Sequence, residues 1–243
     1  MDDALVRAVV LKRDEIADFA TYPFSIPAIR DLGELRLDPR VTLFAGENGS
    51  GKSTLIEAIA VAAGFNPEGG SRSVTVSTRP SHSGLHRALR LVRGPRRPRT
   101  GYFLRAESFF NVATYIEELN DPGIAAAYGG VPLHERSHGE SFISLVTHRF
   151  GPRGLYVLDE PEAALSLRGI LALMRRMHDL VAQGSQFIIS THSPILLGYP
   201  DATIYVLSDA GIAETRYEQT ENVELTRSFL EDRERFLRHL FED

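Results

Sequence analysis

Gly46-Glu47-Asn48-Gly49-Ser50-Gly51-Lys52-Ser53 is a complete phosphate-binding loop of the pattern G-x-x-x-x-G-K-[ST]. Its glycines let the main chain turn N–H groups inward around phosphate oxygens. The lysine reaches the β- and γ-phosphates, and the Ser53 hydroxyl is placed to ligate Mg²⁺. Lys12 and Lys52 are the only lysines among 27 basic side chains. Arginine would bring a planar fork where the loop requires a compact, mobile point charge, so a lysine at this place is informative. Val41-Thr42-Leu43-Phe44 reads as a buried strand entering the loop, and Ser53-Thr54-Leu55-Ile56-Glu57-Ala58-Ile59-Ala60 as the helix leaving it. The N-terminus of that helix adds roughly half a positive charge where the phosphates lie. The nucleotide-binding set is therefore Gly46, Glu47, Asn48, Gly49, Ser50, Gly51, Lys52, Ser53 and Thr54.

Around the loop, 243 residues with 43% hydrophobic content support one α/β domain spanning residues 1–243. There is no cysteine, which removes disulfides, thiolate chemistry and sulfur-bound zinc. The start, Met1-Asp2-Asp3-Ala4-Leu5-Val6-Arg7, has acids where a signal peptide carries positive charge, and no apolar run approaches a membrane span. The expected compartment is the cytoplasm, with no membrane partner. A net charge of −5 gives no global attraction to nucleic acid, so such contact falls to a local patch. The patch on offer is an arginine-rich loop insertion over 78–100, with Arg87, Arg90, Arg93, Arg96, Arg97 and Arg99 broken by Gly94, Pro95 and Pro98. A solvated surface loop is the expectation for it, with a nucleic-acid, phosphate or protein contact as the alternatives, and it lacks interleaved aromatics.

Val6-Arg7-Ala8-Val9-Val10-Leu11 and Leu35-Arg36-Leu37 read as strands, with the aromatic, irregular Tyr22-Pro23-Phe24 between them. Further strands are expected at 74–76 and 102–105, and a helix over 108–119. The second half alternates strand and helix as a mostly parallel sheet requires: strands at 155–158, 186–190 and 203–207, a helix over 163–182, and a C-terminal helix over 222–241. Phe229, Phe236 and Leu240, with Leu230, Leu237 and Phe241 beside them, form an apolar stripe on that last helix. Core packing is the expectation for it, and a partner surface the alternative.

Leu155-Tyr156-Val157-Leu158-Asp159-Glu160-Pro161 is an apolar strand ending in two carboxylates. Beside a phosphate loop, the first acid suits Mg²⁺ and the second suits polarising an attacking water. Asp, Glu and Pro are also favoured where a helix begins. Guanine is commonly read by Asn-Lys-x-Asp, which this chain lacks because its other lysine, Lys12, follows Leu11. ATP is the expected nucleotide, with Tyr22 or Phe24 available to stack on adenine or to pack in the core.

Two further elements frame the acids. Arg136-Ser137-His138-Gly139-Glu140-Ser141 precedes an apolar helical run upstream, and Phe187-Ile188-Ile189-Ser190-Thr191-His192-Ser193 delivers a histidine downstream. In this order, from Val41 to His192, the set resembles the ATP-binding-cassette ATPases. The likeness is to their soluble branch of chromosome-maintenance and DNA-repair ATPases, and to small armless bacterial ATPases of the AAA type. The resemblance implies a P-loop NTPase fold: three α/β/α layers on a mostly parallel sheet, an N-terminal antiparallel β part and a helical signature subdomain. It implies Mg²⁺ held by Ser53 and Asp159, with Lys52, Glu160 and the switch histidine His192 as catalytic residues. Ser137, His138, Gly139 and Glu140 fall on the signature that serves the nucleotide of a second copy, so the implied unit is an ATP-dependent head-to-tail homodimer. His138 replaces the usual glycine and Arg136 the usual leucine. Ser137 with Glu140 is also a capping box. Ala164-Leu165-Ser166 resembles the loop that crosses the dimer interface. Glu107 stands nearest to the place of a Mg²⁺-touching glutamine, where it would serve as a carboxylate ligand. Two other functions stay open beside an ATPase: a P-loop kinase of a small phosphorylated substrate and an ATP-gated binding module. A transporter's ATPase subunit is disfavoured, because the coupling glutamine is missing and the signature resembles the soluble branch.

Overall fold

The computed structural model describes residues 3–72, 83–106 and 138–242. The strand expected at 74–76, the helix expected over 108–119, Glu107 and Ser137 lie outside the described residues. The elements before and around the phosphate loop are β1 (Val6–Leu11), α1 (Pro27–Arg30), β2 (Glu34–Arg36), β3 (Val41–Gly46) and α2 (Lys52–Ala62). They are followed by β4 (Gly70–Ser71), α3 (Leu85–Ala88), β5 (Leu89–Arg93) and β6 (Thr100–Arg105). The second half runs α4 (His138–Arg149), β7 (Gly154–Asp159), α5 (Leu167–Val181), β8 (Gln186–Ser190), α6 (Pro194–Leu197), β9 (Thr203–Ser208), β10 (Gly211–Thr215), α7 (Glu221–Glu231) and α8 (Arg233–Phe241).

Among the described residues the central sheet has seven strands in the order β10-β9-β3-β8-β7-β6-β4. The five inner strands pair in parallel, while β10 and β4 pair antiparallel at the edges. Parallel strands must be covered on both faces, and their sequences accordingly run apolar without alternation. Period-2 geometry still sorts them. Tyr156, Leu158, Phe187 and Ile189 join the core under α4 and α5, whereas Leu155, Val157 and Ile188 join the core under α2. Burying each of these aliphatic chains contributes about 2 kcal/mol relative to exposure. Strands β2, β1 and β5 form a separate antiparallel sheet, whose apolar side, with Val6, Val9 and Leu35, closes the α2 core. The expected three-layer α/β/α arrangement with an N-terminal antiparallel part is thus present.

Two side chains tie the sheets: the Tyr205 hydroxyl of β9 donates to the Arg36 carbonyl of β2 at 2.9 Å, and a buried amide does more. Gln186, fully buried at the start of β8, accepts from the N–H groups of Leu5 and Val6 at 3.1 and 2.8 Å. Its Nε2 donates to the carbonyls of Val6 and Asp38, both at 2.8 Å. On the opposite face Phe150, just after α4, stacks on Tyr156 at 4.1 Å, and the Tyr156 hydroxyl both donates to and accepts from Gly151. Burial pushes that phenol up to about 12, so it stays a donor throughout the working range.

Four expectations need correction. The segment after the acids is a short 3-10 turn, Pro161–Ala164, and the α-helix starts only at Leu167, where Ser166 caps it by accepting from Gly169 N–H at 3.2 Å. The arginine-rich stretch is no simple loop: Leu85–Ala88 is helical and Leu89–Arg93 pairs with β1. A Leu-x-Leu-Val alternation inside the charge run carried that signal. The C-terminal helix breaks at Asp232, whose Oδ1 accepts from Arg235 N–H at 2.9 Å and starts α8. Its apolar stripe is not core: Leu230 and Phe241 are 74% and 76% exposed, and α7 buries only Val223. Phe229 meets Phe236 edge-on across the break at 5.6 Å, so the two helices pack on each other. No described helix is long and apolar enough to cross a membrane.

Replacing Gln186 by leucine strands two N–H and two carbonyl groups in a dry site. The expected loss is about 3 kcal/mol or more in urea unfolding, and a loss under about 1 kcal/mol would show that the amide does not clasp the sheets.

Candidate functional site

Strands β3, β7 and β8 are neighbours and all point the same way, so their C-terminal ends deliver the phosphate loop, the Asp159-Glu160 pair and the histidine segment to one edge. Open parallel sheets bind ligands at this edge. Gly46 leaves β3 at φ +134°, and a Cβ there would lie 2.2 Å from the Leu207 carbonyl oxygen. Gly51 adopts φ +98° as the residue before α2, and its Cβ would lie 2.9 Å from Ile26. Both positions demand glycine for space and for backbone conformation.

Lys52 is the first residue of α2 and only 4% exposed. Its ammonium donates to the carbonyls of Gly46 and Glu47 at 2.8 and 2.7 Å, inside the arc of the loop. Burial lowers its pKa, while Glu160, Asp159, Glu162 and Glu47 oppose the shift and favour the charged form. The Ser53 hydroxyl faces the Asp159 carboxylate closely enough to lower its pKa. Thr54 Oγ1 lies 3.3 Å from the Tyr22 hydroxyl, and Tyr22 is 67% exposed. Phe24 instead packs on the α2 core and edge-on to Phe19. Of the two aromatics, only Tyr22 is free to meet a base beside the loop.

Asp159 ends β7 directly opposite Ser190 of β8, whose hydroxyl donates to its Oδ1 at 2.5 Å. Burial raises the Asp159 pKa, and the hydrogen bonds from Ser190 and Ser53 and the Arg105 charge oppose that shift. One carboxylate with a neighbouring hydroxyl is a hard oxygen pair suited to Mg²⁺, which takes few protein ligands and completes its shell with phosphate and water. The residues present fit the ion.

Glu160 adopts φ 48°, ψ 54°, a left-handed conformation unusual for a glutamate. Its N–H donates to the Ser190 carbonyl at 3.1 Å, and its Oε1 lies 3.3 Å from His192 Nε2. Gly46, Glu47, Asn48, Glu160 and His192 line one cleft of 810 Å³, whose far wall is α7 through Asn222 and Leu225. Of the signature residues, His138 opens α4. Gly139 and Glu140 line a different groove, with Ala164, Ser166 and Arg168. The structure therefore unites Lys52, Ser53, Asp159, Glu160 and His192 but does not bring Gly139 and Glu140 to the same cleft.

Sequence reasoning missed four participants. Glu57, buried in α2, pairs with Arg105 Nη1 at 2.8 Å, and Arg105 Nε lies 3.6 Å from Asp159. A glutamate on the inward face of an apolar helix was the available signal for this bridge. Glu162 and Asn222 bind the main chain around His192. Nothing in the spacing of Asn222 announces it.

Residues 16–90 match the family model described as "AAA domain", and residues 126–198 match "AAA domain, putative AbiEii toxin, Type IV TA system". The cytochrome c biogenesis ATP-binding export protein CcmA 1 of Salmonella typhimurium is 30% identical over 195 residues, 78% of this chain and 89% of that protein. The chain belongs to the ATP-binding-cassette family of P-loop ATPases. A CcmA of Escherichia coli O157:H7 is 26% identical over 203 residues, 78% of this chain and 89% of its own. In fold, this ATP-binding-cassette chain is similar to "An inward-facing conformation of a putative metal-chelate type ABC transporter", with a TM-score of 0.53 at 15% identity over 93% of this chain and 89% of that one.

The Glu57–Arg105 pair yields a sharp expectation. Arg105→Met leaves a buried carboxylate without its partner and should destabilise the chain by about 2 kcal/mol or more, while Glu57→Met/Arg105→Met should recover most of the loss. Denaturant midpoints decide it, and equal loss in the double variant would count against the pairing argument.

Proposed function

We propose that this chain binds and hydrolyses Mg²⁺-ATP in a head-to-tail dimer with composite active sites, and that ATP-driven dimerisation acts on a partner. The observation that carries the reading is the Glu160 carboxylate, 3.3 Å from His192 in the cleft that Gly46, Glu47 and Asn48 also line. Lys52 trades its two loop carbonyls for β- and γ-phosphate oxygens. Ser53 and Asp159 would hold Mg²⁺, which when bound neutralises charge on the phosphates. Glu160 takes the proton of the attacking water, and His192 orients that carboxylate and contacts the γ-phosphate. Tyr22 stacks on the adenine. Ser137, His138, Gly139 and Glu140 serve the nucleotide of the second copy. The separate groove that holds Gly139 and Glu140 supports that division, because a signature acting in its own subunit would line the phosphate cleft. Glu107 keeps its proposed place as a further Mg²⁺ ligand.

The kinase alternative leaves His192 and its contact with Glu160 unexplained, and the relatives named above are ATP-binding proteins. Placement in the soluble branch and in the cytoplasm remains part of this proposal, set against relatives whose name includes export. A nucleic-acid contact has one observation in its favour. Arg72, stacked at 5.1 Å on Phe65, has its pKa lowered by burial and by the nearby charges of Arg93 and Arg97, so three guanidinium groups share one patch. A phosphate backbone would relieve such crowding.

Glu160→Gln removes the base but not the binding groups. Its kcat should fall by about 100-fold or more with ATP affinity retained, and light scattering should find a dimer with ATP and a monomer without. A monomer that holds ATP would sink the composite-site model. Hydrolysis that requires an added phosphate acceptor would favour the kinase. Changing Arg93, Arg97 and Arg99 to alanine should abolish salt-sensitive DNA retardation. Retardation unchanged by the substitutions, or none by the unaltered chain, rejects the nucleic-acid reading.

A further inference from the structure

Glu162 lies two residues beyond Glu160 in the 3-10 turn Pro161–Ala164, and the hydrolytic scheme gives it no task. Its Oε1 nevertheless accepts three hydrogen bonds: from the Thr191 hydroxyl at 2.8 Å, from the His192 N–H, and from the Ser193 N–H at 3.2 Å. Hydrogen bonds to an ionised carboxylate are about twice as strong as neutral ones. From the other side, Asn222 Nδ2 in the first turn of α7 donates to the His192 carbonyl at 2.8 Å. Both peptide units flanking the His192 Cα are therefore fixed by side chains, one from the turn that carries Glu160 and one from the C-terminal helix. Helix capping does not explain the carboxylate. The N-cap of α6 is Ser193, whose own hydroxyl accepts from Leu196 N–H at 3.3 Å.

We infer that Glu162 and Asn222 form a clamp on the His192 backbone that sets the aim of its imidazole at Glu160. They are positioning residues for the hydrolytic step. The inference rests on the ATPase reading above. The geometry gives it force: His192 Nε2 is buried and lies 3.3 Å from Glu160 Oε1 but is not aligned to hydrogen-bond it, so the set of the ring decides whether the two groups engage. A small rotation of the histidine peptide would make that hydrogen bond or put it out of reach. Glu160 is the residue that enters the turn carrying Glu162, so the clamp ties the histidine segment to the acid's own backbone. Asn222 extends the tie to α7, which forms the far wall of the cleft.

The test is a double-mutant cycle on the full chain, reading steady-state ATP hydrolysis and, separately, equilibrium binding of a fluorescent ATP analogue. Glu162→Ala should lower kcat by about tenfold or more and leave nucleotide affinity within about twofold. Glu162→Gln keeps an oxygen acceptor at the same reach and should recover most of that loss. In a His192→Ala background, Glu162→Ala should change kcat by less than about twofold, because the group it aims is gone. Asn222→Ala should show the same non-additivity with a smaller single effect, and it carries the test should Glu162→Ala fail to fold. Equal losses in both backgrounds, or nucleotide affinity falling in step with kcat, would overturn the clamp. So would a Glu162→Ala variant as fast as the unaltered chain while His192→Ala is slow. No hydrolysis by the unaltered chain would instead bring down the ATPase reading beneath it.

Discussion

The arrangement depends on the register between β7 and β8, fixed where Asp159 faces Ser190 and the serine hydroxyl closes on the carboxylate. A one-residue slip of either strand would turn Asp159 into the opposite core and move Ser190 away from it. From that rung the rest follows by connectivity. Glu160 N–H reaches the Ser190 carbonyl, Thr191 N–H reaches Phe44 in β3 at 2.9 Å, and Ala106 N–H reaches the Asp159 carbonyl at 3.2 Å. Four strand ends are laced by main-chain bonds just where the chemistry is gathered. The positions of the functional side chains are thus inherited from sheet pairing, which is stiff, and not from loops.

Charge is the second organising quantity. Glu47, Asp159, Glu160 and Glu162 crowd Lys52, and Arg105 is the other cation in contact with the cluster. Such a pocket does not welcome a polyanion by itself. The inward N–H groups of the loop and the N-terminus of α2 supply partial positive charge, and in the proposed reading the Asp159 and Ser53 oxygens would bring in a divalent cation with the nucleotide. The excess of acid explains why the reading requires Mg²⁺ alongside ATP.

The phosphate loop, the strand into Asp159-Glu160 and the strand before His192 were legible because each is a contiguous apolar run ending in an unusual residue. Periodicity sees such features well. The parallel pairing of the inner strands came with them, since alternating strand and helix implies crossover connections, but their order in the sheet did not. What stayed hidden was set by contacts distant in sequence. Gln186 looks like any polar residue at a strand start, yet it clasps residues 180 positions away. Glu57 and Arg105 are 48 residues apart. The β5 strand was masked by the exposed Arg90 and Arg93, although its leucines Leu89 and Leu91 pack on the α2 core. The broken C-terminal helix was misjudged for the opposite reason: an apolar stripe implies packing somewhere, and periodicity cannot say against what.

Glu160 sits in a backbone conformation that glycine or asparagine would occupy with less strain, about 1 kcal/mol less for a single residue. At this position durability and turnover therefore pull in opposite directions. A screen for thermal resilience alone would tend to replace the residue that the chemistry can least spare. Conversely, the presence of a glutamate there records a requirement that packing and backbone preference did not impose.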